Sequence, residues 1–77
     1  MRKTKIGEEL LIVNSTQKVT VISELEGVIM LLFHGSGEPF VVTDSYDIED
    51  GKIRWFGSRY RKDINGAVEI FNSLIEK

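Results

Sequence analysis

The chain contains no cysteine, which excludes disulfide staples and every thiolate metal site. Its one histidine, His34, is too few for an ordinary zinc centre. The one proline falls in His34-Gly35-Ser36-Gly37-Glu38-Pro39, a loop that no strand tolerates. Long apolar runs are missing too. Val28 to Phe33 is the longest, far short of the ~20 residues that cross a bilayer. No apolar segment of signal-peptide length follows Met1-Arg2-Lys3-Thr4-Lys5. These absences predict a cytoplasmic protein without membrane contact. A net charge of −2 leaves no strong field of either sign to recruit nucleic acid.

What is there is enough for one core. The 77 residues make a single domain, 1–77, whose polar and basic start (1–8) is expected to fray. Apolar residues at 42% and charged ones at 29% place the chain among folded proteins. Chains this short bury only about 60% of their unfolded surface and usually recruit a staple. With disulfides and metals removed, contact with another chain is the staple left.

Periodicity gives an α+β domain: an antiparallel sheet of about five strands with one C-terminal helix on one face. Leu10 to Val13 reads as a strand buried on both sides, and Lys18 to Glu24 as a partly alternating one. Val28 to Phe33 has no polar position and belongs in the centre. Phe40 to Thr43 continues weakly through Tyr46. Asp50-Gly51 between extended segments predicts a type I′ turn, leading into Ile53 to Phe56, with Gly57 a bulge before Ser58 to Tyr60. Asp63 is a suitable N-cap. Behind it Ile64, Ala67, Val68, Phe71, Leu74 and Ile75 form one apolar stripe. A helix covers one face of a sheet, yet two strands are apolar on both. The second face must curl on itself, pair with another copy or meet a partner.

Charge is segregated. Residues 38–50 hold Glu38, Asp44, Asp47, Glu49 and Asp50 without a base, and residues 52–62 hold Lys52, Arg54, Arg59, Arg61 and Lys62 without an acid. Pairing across the hairpin is the plain explanation. The functional one is that the acidic block faces a basic partner, or lies in a basic nucleic-acid channel as a decoy. Arg54, Trp55, Arg59, Tyr60 and Arg61 interleave bases with aromatics as single-strand binders do, but alternation sends Trp55 and Phe56 to opposite faces. The acids do not have EF-hand spacing. His34 and the small residues after it make neither a phosphate loop nor a catalytic triad.

The run Phe40-Val41-Val42, Tyr46-Asp47, Glu49-Asp50-Gly51, Trp55, Gly57, Tyr60, Asp63, Ala67 and Phe71 resembles short accessory proteins of phages and mobile elements, the anti-CRISPR-like small inhibitors. Here Phe56 splits the Trp-Gly pair of that pattern. The resemblance covers residues 40–75 and implies an accessory protein that acts by binding, as an inhibitor of a host nuclease, with no catalytic residue to carry over. The sequence thus predicts a non-enzymatic module without cofactor. Its partner-binding residues are Asp44, Asp47, Glu49 and Asp50 with Trp55, Arg59 and Tyr60. A nucleic-acid-binding sheet and a structural homodimer are the alternatives.

Overall fold

A computed structural model describes residues 6–35 and 37–76. The strands are β1 (Glu9–Ile12), β2 (Lys18–Leu25), β3 (Val28–Phe33), β4 (Phe40–Thr43), β5 (Tyr46–Glu49), β6 (Lys52–Trp55) and β7 (Arg59–Arg61), followed by α1 (Ile64–Ile75). They form one sheet in the order β5-β6-β1-β2-β3-β4-β7. The expected five antiparallel strands are therefore seven, in a mixed sheet, because β1 and β6 run parallel.

Both corrections have one cause. The pairs Phe40↔Arg61 and Val42↔Arg59 join β4 to β7, and Tyr46↔Trp55 and Glu49↔Lys52 join β5 to β6. All lie on one unbroken register, so 40–49 and 52–61 are a single long hairpin. It turns at Asp50 (φ 56°) and Gly51 (φ 76°), two successive positive φ values, as the expected type I′ turn requires. Halfway along, the ribbon kinks, and each side counts as two strands. Buried Thr43 holds the corner: its hydroxyl accepts the Ser45 N–H at 3.0 Å and donates to the Phe56 carbonyl at 3.1 Å. Gly57, with φ 56°, supplies the left-handed conformation that the bend needs.

Beyond the kink the hairpin swings β6 against β1, and the sheet meets itself. The first and fifth passes of an up-and-down meander point the same way, so the closing pair is parallel. Leu11↔Lys52 and Ile12↔Ile53 make that seam, with Leu11 N–H on the Gly51 carbonyl at 3.1 Å and Val13 N–H on that of Ile53 at 3.0 Å. The enclosed interior holds Leu10, Val19, Val21, Ile29, Leu31, Val41 and Ile53, with Tyr46, Ile48, Trp55 and Tyr60 around them.

The helix covers the outer face. Asp63 caps it as expected, its carboxylate accepting the Gly66 N–H at 2.9 Å. Ala67 and Phe71 pack on Val28, Met30 and Val42, with Ile70, Leu74 and Ile75 alongside. The helix rests on β3, β4 and β7, which turns its covered arc toward Ile70. Ile64 and Val68 of the expected stripe remain 47% and 40% exposed. The two apolar faces are thus shielded by two different means, curling inside and the helix outside. Of the expected frayed start, residues 1–5 lie outside the described residues. Gly7 N–H bonds the Val21 carbonyl at 2.7 Å and Val21 N–H that of Glu8 at 2.8 Å. No described helix is long and apolar enough to cross a membrane.

Candidate protein-binding surface

Alternation along β5 and β6 sorts the hairpin into two faces. Asp47 and Glu49 on β5 and Lys52 and Arg54 on β6 are exposed, each acid directly across from a base. Arg54 Nη2 lies 3.7 Å from Asp47 Oδ2, with both side chains more than half exposed. Such a pair contributes only ~0.2–1 kcal/mol. The Arg54 guanidinium also stands 6.0 Å from the centre of the Phe56 ring, at the outer range of a cation–π contact. Asp50 occupies the hairpin tip. Asp44 sits at the corner, where the Ser45 hydroxyl donates to its carboxylate at 3.4 Å.

Phe56 is 58% exposed, whereas the other aromatics are buried or half-buried. Exposing a phenyl ring forfeits ~1.5–3 kcal/mol of burial. Alternation leaves it no other place: Trp55, one residue earlier, takes the inward one. Phe56, Arg54 and the exposed acids make one mixed patch on the hairpin's outer side.

The expected site residues therefore divide. Asp47 and Glu49 share the hairpin's outer face, Asp44 sits at its mid-length corner and Asp50 at its tip. Trp55 and Tyr60 turn inward and meet each other, indole N–H to phenol oxygen at 3.1 Å. Arg59 stands with Arg61 on the helix side, opposite Val42 and Phe40. The basic block is split the same way. Lys52 and Arg54 face acids across the hairpin, whereas Arg59 and Arg61 pair with Val42 and Phe40 and share a groove with Glu69 of α1. The interleaved bases and aromatics do not form one surface. Sequence reasoning did not single out Phe56; alternation demanded that one of Trp55 and Phe56 face outward, and buried Ile53, two residues before Trp55, decides which.

One titrating contact lies at the barrel end. The Tyr46 hydroxyl donates to Glu24, and burial first, then that hydrogen bond and the negative charge of Glu24, push the phenol pKa upward. The folded state thus holds this proton more tightly than the unfolded chain, whose tyrosine titrates near ~10. The stabilisation is present below that value and is lost as pH rises above it. Tyr46→Phe is expected to cost about 1–2 kcal/mol at neutral pH by leaving the carboxylate one donor short, and to flatten the loss of stability above pH ~10. Urea titrations at several pH values check this; equally steep alkaline loss in both proteins would contradict it.

Among the described residues no group of three or more histidines and carboxylates is placed to hold a metal ion. His34 Nε2 lies 3.2 Å from the Thr20 hydroxyl. The chain matches no protein-family model, no curated protein and no solved structure.

Proposed function

We propose that this chain is a small non-enzymatic binding module that docks on a larger protein and inhibits or regulates it through the outer face of its long hairpin. The observation that carries this reading is Phe56, an exposed aromatic beside an arginine in a domain that already fills both of its apolar layers. Interfaces concentrate their energy in such anchors, ringed by polar groups that exclude water. Asp44 and Asp47 flank the rung that Phe56 shares with Ser45, and Glu49 and Asp50 continue the acidic face to the tip, a charge that steers a basic partner and sets the on-rate. A host nuclease or its complex fits that charge, as does the resemblance to the small inhibitors of phages and mobile elements. The inward turn of Trp55 and Tyr60 counts against the nucleic-acid alternative, which needs their faces free for stacking.

The test is capture from an extract of the native host, with mass spectrometry of what is retained. A specific protein held by the native chain, lost with Phe56→Ala and weakened when the four acids are reversed, is expected. A typical aromatic anchor loses ~2 kcal/mol or more, about thirtyfold in affinity. Retention unaffected by both changes, or a gel shift with single-stranded nucleic acid that falls steeply with salt, would overturn the proposal.

A further inference from the structure

Among the described residues the hairpin leaves the sheet with two unpaired edges, β5 and β7, and the ladders fix what each presents. Phe33 N–H bonds the Pro39 carbonyl at 2.7 Å, so by alternation Val41 and Thr43 direct their backbone groups to β3, and Phe40 and Val42 direct theirs to β7. Arg59 and Arg61 answer Val42 and Phe40, which leaves the Tyr60 N–H and carbonyl aimed off the edge. That carbonyl takes a hydrogen bond from Arg61 Nη1 at 2.7 Å. On β5, Phe56 N–H bonds the Ser45 carbonyl at 2.8 Å. The same phase turns Asp47 and Glu49 to β6 and points the backbone of Tyr46 and Ile48 outward.

The edges differ in sign. Asp47 and Glu49 are exposed on β5, Arg59 and Arg61 on β7, at the same two-residue spacing of about 7 Å. Sheets discourage edge-to-edge pairing with charge, and one sign at both edges would repel a second copy. Opposite signs at equal spacing attract one.

We propose that copies of this chain associate head to tail, β5 of one protomer adding as an antiparallel strand to β7 of the next. Glu49 then falls opposite Arg59 and Asp47 opposite Arg61, the outward amide of Tyr60 gains a backbone partner, and its carbonyl, already bonded to Arg61 Nη1, accepts a second hydrogen bond. The contact joins two different patches, so it closes into a ring or continues as a filament rather than forming a two-fold dimer. It is small, with short strands and solvated charges, so the association is weak and screened by salt. It does not depend on Phe56, and Phe56→Ala is expected to leave it unchanged.

Sedimentation of the purified chain from micromolar to millimolar concentration tests this. At low salt the average mass is expected to rise with concentration, and at high salt to return to that of the monomer. Asp47→Arg with Glu49→Arg makes both edges basic; Arg59→Glu with Arg61→Glu makes both acidic. Each double variant alone is expected to stay monomeric, and an equimolar mixture to regain the association. The amide resonances of Tyr60 and Ile48 in the native chain should shift with concentration, which needs no variant. A native chain monomeric throughout, variants that self-associate as it does, a mixture that stays monomeric, or shifts away from both edges would overturn the proposal. So would a β7 edge that responds only to an added acidic peptide.

Discussion

Ile53→Ala is expected to cost about 2–5 kcal/mol, as deletion of a fully packed side chain does. Domains hold roughly 0.05–0.15 kcal/mol per residue, or about 4–12 kcal/mol for a chain this long, so the loss takes a large part of the total. Ile53 is 0% exposed and lies at the seam. It pairs with Ile12 on the parallel side and with Ile48 across the hairpin, and its carbonyl receives the Val13 N–H. The cavity would open where the sheet closes, with few neighbours able to collapse into it. Ile53→Val, which keeps most of the volume, is expected to cost only about 0.5–1.5 kcal/mol. Urea unfolding measures both. A loss for Ile53→Ala within ~0.5 kcal/mol, the range of surface substitutions, would mean that the seam is not packed as described.

Phe71→Ala should be comparably severe, at about 3–5 kcal/mol. Phe71 is 7% exposed and fills the layer between α1 and the strands, against Val28, Met30 and Val42. Truncation removes the largest side chain holding the helix and wets the outer apolar face. Val68→Ala makes the control, since Val68 is 40% exposed and alanine is the better helix former. It is expected to change stability by no more than ~0.5 kcal/mol. Equal costs at the two positions would place the buried arc of the helix elsewhere, toward the stripe that periodicity alone suggests.

Features with short-range causes were legible from the amino acids. The Asp50-Gly51 turn follows from two residues that tolerate positive φ, and the helix start from one carboxylate that satisfies free N–H groups. The central strand follows from an apolar run without a polar position. What escaped reading depends on contacts distant in sequence. Nothing local marks Thr43-Asp44-Ser45 as a corner, because its bend is secured by a hydroxyl reaching the carbonyl of Phe56. Nor does Glu9–Ile12 announce a parallel neighbour some forty residues away, so the number of strands and their closure went unread. The helix carries apolar residues over nearly half its girth, an arc wider than one sheet covers, and only the sheet beneath decides that Ile70 is covered while Ile64 is not.

The site followed the same division. Acid facing base was readable as far as the turn enforces it, for Asp47 with Arg54 and Glu49 with Lys52. Arg59 and Tyr60 passed to other faces because the kink shifts alternation by one residue between Trp55 and Tyr60. Phe56 is left in solvent by plain alternation, with Ile53 and Trp55 turned inward before it.

Closure of the sheet by its own chain is what frees the outer hairpin for a partner, because it removes the need for another protein to cover the interior. Amide hydrogen exchange at Leu11 and Val13 addresses it directly, since their acceptors, Gly51 and Ile53, lie across the seam. Protection close to that of the central strand β3, in dilute monomer, is the expected result. Exchange at the rate of an unstructured chain, with β2 and β3 still protected, would show an open sheet whose inner face awaits another molecule.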